Sequence, residues 1–180
     1  MNDSTITLHP QAGDLLFKHY RTISRIFRDV LGQLEIDYMA IALLTPNNEL
    51  LFFSSSPGIE WNMIEHNLWL SDARFQHDFF MQEQAQSWCK HKPSVFRVGL
   101  SIPSVVDEFR VVYTFASKSN DTATQTKIRN NIAMLIRMGR FCLKNILYEL
   151  PAFSQKSSPI QQKPQLKLII NNKVSYGSVT

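Results

Sequence analysis

The 180-residue sequence lacks several features that define common protein classes. Its two cysteines, Cys89 and Cys142, are too few for a disulfide scaffold. No apolar run approaches the roughly 18 residues of a membrane-spanning helix. The six glycines lie at least 19 positions apart, which excludes Walker loops and dinucleotide fingerprints, whose clustered glycines cradle phosphate. The first residues also lack the basic and apolar regions of a secretory signal, so we expect a cytoplasmic protein.

The body of the chain has no excess of positive or negative charge. The net charge is +4, but residues 1–150 carry 15 basic and 15 acidic side chains. The excess comes from four lysines in residues 151–180, which contain no acidic residue. We therefore expect a disordered basic tail at 151–180, and no domain-wide basic footprint of the kind that binds nucleic acid.

What the sequence does contain is an apolar pattern of helices and strands. It predicts a helix at 13–31, strands at 37–45 and 49–56, helices at 59–70 and 73–90, strands at 95–103 and 108–117, and a long helix at 122–150. We expect a flexible lead at 1–11 and one domain at 12–150. The α-β-β-α-α-β-β-α order predicts an α+β fold, an antiparallel sheet flanked by helices in a PAS/GAF-like sandwich.

Residues suited to catalysis or metal binding are sparse. Cys89 and His91 form the closest cysteine–histidine pair, and neither a C-x-x-C nor an H-E-x-x-H motif occurs. The sequence also lacks G-x-S-x-G, and the acidic pair Asp107-Glu108 lies in a predicted hairpin turn, where solvated carboxylates are common. We therefore expect no metal, no cofactor and no enzymatic activity.

Two strands and the segment before them resemble a known family. The run Gly99-Leu-Ser-Ile-Pro103, a turn and then Phe109-Arg-Val-Val-Tyr-Thr-Phe-Ala-Ser117 is similar to the paired strands of the autoinducer-binding domain of LuxR-type quorum-sensing regulators. Upstream, Trp61, Asp72 and Trp88 resemble the two tryptophans and the aspartate of that family. The resemblance implies a sensor domain that binds an acyl-homoserine lactone or a similar lipid-like signal.

In that family the tryptophan and the aspartate bind the lactone carbonyl and the amide N–H. An indole N–H only donates and a carboxylate only accepts, so one of each can fix such a head group. The resemblance therefore implies that Trp61 and Asp72 face a shared hollow. Further candidates for lining it are Trp88, Tyr38 and Tyr113. The alternative is that Trp61 is a core residue and Asp72 caps a helix that begins at Ala73.

The sequence departs from the family pattern in three respects. Glu65 and Ala73 stand where a tyrosine and a proline are usual. The downstream helix-turn-helix is expected to be missing, because the 30 residues after position 150 are too few for that unit. Direct binding to nucleic acid is therefore not expected.

The long helix carries a second candidate surface. Met134, Phe141 and Tyr148 recur every seven residues, and Arg137 and Arg140 flank them. Aromatic residues, methionine and arginine together are typical of an interface. We expect a homodimer seam or a surface for a LuxR-type partner, with packing against the first helix as the alternative.

Two functions follow as hypotheses. The first is a LuxR-like small-molecule sensor in transcription control, which binds an amphipathic signal and acts through dimerisation or a partner regulator. The second is a ligand-free, degenerate sensor fold that serves as an interaction adaptor or decoy. An enclosed hollow beside Trp61 and Asp72 would favour the first hypothesis, and a solid core would favour the second.

Overall fold

The computed structural model describes residues 5–150, and the predicted tail at 151–180 lies outside the described residues. The elements in chain order are β1 (Thr7–Leu8), α1 (Ala12–Lys18), α2 (Tyr20–Arg28), β2 (Tyr38–Leu44), β3 (Glu49–Ser54), α3 (Pro57–Glu65), α4 (His77–Phe80), β4 (Gln86–Ser87), β5 (Val98–Val106), β6 (Phe109–Ser117), α5 (Thr122–Asn130) and α6 (Ile132–Glu149). Short 3-10 turns lie at Gln33–Glu35, Leu68–Ser71 and Ala73–Phe75.

A six-stranded sheet in the order β1-β3-β2-β6-β5-β4 forms the centre of the fold. Its neighbouring strands are antiparallel except for β1, which pairs with β3 in parallel. The predicted α+β sandwich is confirmed, but its sheet is mixed. Within the predicted lead at 1–11, the backbone of residues 7–8 pairs with the edge of β3.

Strand alternation divides the sheet into two sides. Met39 and Ile41 point into the core that contains α2, α5 and α6, here called the α6 side. Tyr38, Ala40 and Ala42 point to the opposite side, where α3, α4 and the segment around Trp88 cover the sheet. We call this the α3 side. Both surfaces of the sheet are therefore buried.

Each of the two long predicted helices is broken by a single residue. The helix predicted at 13–31 divides at His19, whose φ and ψ are −112° and 24°. The helix predicted at 122–150 divides in the same way at Asn131, with φ −117° and ψ 33°. The first break lets α1 contact β3 and α3 while α2 contacts α6.

The segment predicted as helices 59–70 and 73–90 is mostly irregular. Helix α3 ends at Glu65, and Asn67 follows it with a positive φ of 54°. Asp72 is extended, with φ −86° and ψ 121°, so two 3-10 turns replace a continuous helix. No helix among residues 5–150 is long and apolar enough to cross a membrane.

Gly139 brings α6 unusually close to the sheet. A Cβ atom at this position would lie 2.6 Å from the ring of Tyr113. Tyr113 pairs with Ile41 across β2 and β6, and paired residues point to the same side of a sheet. Tyr113, a predicted ligand-lining residue, therefore faces α6, on the side of the sheet opposite Tyr38. Burial raises the pKa of the Tyr113 hydroxyl well above its ordinary value.

We expect Gly139→Ala to lower the free energy of unfolding by about 1–3 kcal/mol, because the added methyl group overpacks the contact with Tyr113. Gly58→Ala on α3 is the matched control, since its Cβ would meet no atom within 4 Å. That substitution should change the free energy by less than about 1 kcal/mol. Urea denaturation measures both, and equal effects at the two positions would contradict the close approach.

Candidate functional site

Polar side chains are buried together on the α3 side of the sheet. Each of them has at most 6% of its surface exposed. The members of this buried polar cluster are Tyr38, Glu60, Asp72, Arg74, Ser101 and Thr114. Burial of charge is costly unless every group is paired, so the contacts within the cluster decide what the site can do.

Arg74 and Asp72 form a two-pronged ion pair. Arg74 Nη2 lies 2.9 Å from Asp72 Oδ2, and Arg74 Nε lies 3.1 Å from Oδ1. The backbone N–H of Arg74 also donates to Oδ1 at 3.0 Å, so Asp72 caps the 3-10 turn that begins at Ala73. The capping alternative for Asp72 is therefore confirmed, and residues of its own turn occupy the carboxylate.

The rest of the guanidinium binds the sheet and α3. Arg74 Nη1 donates to Thr114 Oγ1 on β6 at 3.1 Å. Thr114 Oγ1 in turn lies 3.0 Å from Ser101 Oγ on β5. Nη2 approaches the sulfur of Met63 on α3 at 3.5 Å. One arginine thus ties the irregular segment to two strands and a helix.

Aromatic rings enclose the same guanidinium. Its central carbon lies 4.3 Å from the ring centroid of Trp88 and 4.6 Å from that of Phe75. Trp88 stacks on Tyr38 with centroids 5.5 Å apart, and Phe96 lies 5.2 Å from Tyr38. A desolvated cation over aromatic faces is strongly favoured. Arg74 therefore contacts both Asp72 and the ring of Trp88, which stacks on Tyr38.

Gly99 allows Trp88 to lie against β5. A Cβ atom at Gly99 would lie 3.1 Å from Trp88 Cβ and 3.0 Å from Lys92 Cδ. The indole N–H of Trp88 donates to the carbonyl of Lys90 at 3.0 Å. The indole donor is thus also satisfied within the chain.

Glu60 is the second buried carboxyl group of the cluster. The Tyr38 hydroxyl donates to Glu60 Oε1, while Oε2 has no hydrogen-bond partner among the described residues. Burial raises the pKa of Glu60 to about 7, although the Ser54 and Tyr38 hydroxyls and the Arg74 charge lower it in part. The buried Glu60 carboxyl group therefore changes its protonation state near neutral pH.

Trp61 does not face Asp72. Its side chain is 39% exposed and lies edge-on against Phe17 of α1, with centroids 5.9 Å apart. It also lies against Gly13, whose Cβ would be 2.9 Å from the indole. Successive helical residues point about 100° apart, and α3 turns Glu60 inward instead. The predicted hollow shared by Trp61 and Asp72 is wrong.

The other predicted ligand residues divide between the two sides of the sheet. Tyr38, Trp88 and Asp72 meet within or beside the buried polar cluster. Tyr113 lies behind them on the α6 side. Three of the five predicted residues are thus brought together around a side chain that the prediction did not include.

Sequence reasoning missed Glu60, Arg74 and the pair formed by Ser101 and Thr114. The pair carried a readable signal, because counting back from the hairpin turn places Ser101 opposite Thr114. No comparable signal marked Arg74 or Glu60. Charged residues in amphipathic segments usually lie at the surface, and only their tertiary partners reverse that expectation here.

The residues predicted as an interface separate into two groups. Arg137 and Arg140 are exposed on α6, and Tyr148 is 40% exposed. Met134 and Phe141 are half-buried against the core of the α6 side. The stripe therefore combines an exposed charged part with an apolar edge that is half-buried against the core.

Metal-ligating side chains do not converge in residues 5–150. No three histidine, cysteine, aspartate or glutamate side chains of that range are placed to hold an ion. His91 Nε2 lies 3.3 Å from Ser71 Oγ.

Comparisons with known proteins show where this fold occurs. No protein-family model matches the chain, and no curated protein matches it. Escherichia coli SdiA matches with 11% identity and a TM-score of 0.50, over 92% of this chain and 79% of SdiA. SdiA in complex with octanoyl-rac-glycerol matches with 13% identity and a TM-score of 0.53, over 93% of this chain and 77% of the other.

A third structure is CepR2 from Burkholderia cenocepacia, an N-acylhomoserine lactone-dependent LuxR family transcription factor. It has 12% identity and a TM-score of 0.49, over 72% of this chain and 93% of CepR2. The chain thus has the fold of SdiA. At this level of identity the likeness concerns the fold, and the chemistry of the site rests on its own contacts.

Breaking the buried ion pair leaves one charge without a partner. We expect Arg74→Met and Asp72→Asn each to lower the free energy of unfolding by about 3–5 kcal/mol. The double variant should lose less than the sum of the two, since it leaves neither charge buried alone. Arg25→Met, which removes the exposed pair of Arg25 with Glu149, should cost less than about 1 kcal/mol. Additive losses in the urea-denaturation cycle would contradict the coupling.

Glu60 makes the stability depend on pH. Its pKa is about 7 in the folded chain against an ordinary 4.5, so the folded state binds the proton more tightly between those values. The free energy of unfolding should therefore fall as pH rises through that window, by on the order of 3 kcal/mol.

Glu60→Gln should remove this contribution, whereas Glu65→Gln, at an exposed position of the same helix, should keep it. Urea denaturation at a series of pH values from 4.5 to 8 measures the slope. An unchanged slope in Glu60→Gln would contradict the assignment.

Proposed function

We propose that the chain is a protein-interaction module built on the autoinducer-binding fold, with an interior closed by its own side chains. The observation that supports this function is the position of the Arg74 guanidinium, between the rings of Trp88 and Phe75 and on the carboxylate of Asp72. Of the two sequence hypotheses, this is the adaptor.

The polar groups suited to holding a ligand head group already have partners. Asp72 accepts from Arg74, Trp88 donates to the carbonyl of Lys90, and Tyr38 donates to Glu60. A ligand that recruited Asp72 would separate the buried pair. That separation costs about 3–5 kcal/mol, which corresponds to a loss of affinity of about a hundredfold or more.

The second candidate function is the small-molecule sensor. It is favoured by the unpartnered Oε2 of Glu60, a buried acceptor on the same side of the sheet as Trp88. The solved complex of SdiA with octanoyl-rac-glycerol shows that a protein of this fold can hold a lipid-like molecule. In this alternative Glu60 accepts a hydroxyl or N–H of an amphipathic signal, Tyr38 and Trp88 line the site, and the output is dimerisation or contact with a regulator.

Thermal unfolding with two ligands distinguishes the candidates. N-octanoyl homoserine lactone and octanoyl-rac-glycerol are titrated against the full chain, with SdiA and octanoyl-rac-glycerol as the positive control. A ligand at a hundredfold its Kd adds about 2.7 kcal/mol, which raises the Tm of a chain of this size by about 5–10 °C. We expect no such rise for this chain under conditions in which SdiA shows one.

A saturable rise of Tm in the wild-type chain would overturn the interaction module and support the sensor. In that case Glu60→Gln should diminish the rise, while Trp61→Ala should leave it unchanged, because Trp61 lies against α1.

A further inference from the structure

The outward side of α6 is a surface of one charge. Arg137, Arg140 and Lys144 are all exposed, and their spacing of three and four residues places them on one face of the helix. The only acidic residue of α6 is Glu149, which pairs with Arg25 of α2 at 3.7 Å.

Helix α2 extends this charge. It packs beside α6 on the same side of the sheet, and three arginines lie on its exposed face. Arg25 pairs with Glu149 of α6, and the exposed Asp29 directly follows Arg28. The five residues that we call the basic surface are Arg21, Arg28, Arg137, Arg140 and Lys144. The body of the chain is neutral as a sequence, but folding gathers cations on this surface.

An apolar edge runs along the basic surface. Met134, Phe141 and Tyr148 follow each other at seven-residue intervals on α6. The first two are half-buried, and Tyr148 is 40% exposed. A seven-residue repeat is the spacing at which one helix packs along another. The cations beside this edge then select for acidic residues on the partner helix.

Charge disfavours two other occupants. A two-fold contact between copies would set Arg137, Arg140 and Lys144 against the same residues of the second copy. Residues 151–180 carry four lysines and no acidic residue, so charge does not attract them to the basic surface. Nucleic acid would neutralise the cations, but its phosphate backbone has no apolar groups that could pack on Met134 and Phe141.

We infer that the basic surface and its apolar edge dock an acidic amphipathic helix of another protein. This inference rests on the proposed function and names the chemistry of the partner: apolar residues at heptad spacing flanked by aspartate or glutamate. The apolar seam orients the helix along α6, and the flanking carboxylates bind the arginines and the lysine.

The experiment uses synthetic helices of about three heptads with leucine at positions a and d. One fluorescein-labelled peptide carries glutamate at e and g, and its matched counterpart carries lysine there. Fluorescence anisotropy follows each peptide as the full chain is added. We expect saturable binding of the glutamate peptide, at least about tenfold tighter than that of the lysine peptide and weaker at high salt.

Paired charge reversals locate the binding on the chain. The double variant Arg137→Glu with Lys144→Glu should bind the glutamate peptide at least about tenfold more weakly than the wild type. The matched control, Arg97→Glu with Lys118→Glu, reverses two exposed charges outside α2 and α6 and should leave the affinity unchanged. Tyr148→Ser should also weaken binding, since it shortens the apolar edge. Circular dichroism confirms that each variant keeps the wild-type helix content.

Several outcomes would overturn the inference. The inference is wrong if the glutamate and lysine peptides bind equally well, or if the charge reversal on α6 leaves the affinity unchanged. A labelled DNA duplex that binds more tightly than the peptide and is lost with the same reversal points to nucleic acid. Self-association that the reversal abolishes in sedimentation points to a second copy. A ligand-induced rise in Tm would overturn the proposed function alone, and absent peptide binding would overturn this inference alone.

Discussion

A buried arginine has to be neutralised, and this constraint organises the α3 side of the sheet. Asp72 meets the guanidinium with both carboxylate oxygens, and Thr114 binds it from β6. The rings of Trp88 and Phe75 keep water from the pair. The segment between α3 and α4 has little regular structure, and this contact network ties it to the sheet together with the packing of Phe75 on Phe52 of β3. Removing one partner of such a buried pair is strongly destabilising, because the other charge is left without compensation.

The same network distinguishes the site of this chain from what its fold alone would suggest. SdiA holds octanoyl-rac-glycerol on a related backbone, which shows that the layout can accommodate a lipid-like molecule. Here the acceptor, the indole donor and the phenol are each engaged by neighbouring residues. Within the buried polar cluster of the described residues only Glu60 retains an unpartnered oxygen, and burial raises the pKa of that carboxyl group. Function therefore follows from the partners of a few side chains rather than from the fold.

The two sides of the sheet differ in where their polar side chains lie. On the α3 side the polar groups contact one another inside the protein, whereas on the α6 side the core is mainly apolar and the arginines are exposed. Gly139 allows α6 to lie against Tyr113, while the arginines of the helix stay exposed to solvent.

The sequence by itself determined the elements whose cause is local. Apolar runs bounded by turns specified the β2–β3 and β5–β6 hairpins, and the carboxylate of Asp72 specified a cap at the start of the next turn. Only the tertiary structure decided which side chains face inward. Trp61 lies at the surface beside Phe17 of α1 because α3 turns Glu60 inward instead. Glu60 and Arg74 are buried because distant strands supply their partners. Local patterns fix periodicity, but the side that becomes interior depends on residues far away in the chain.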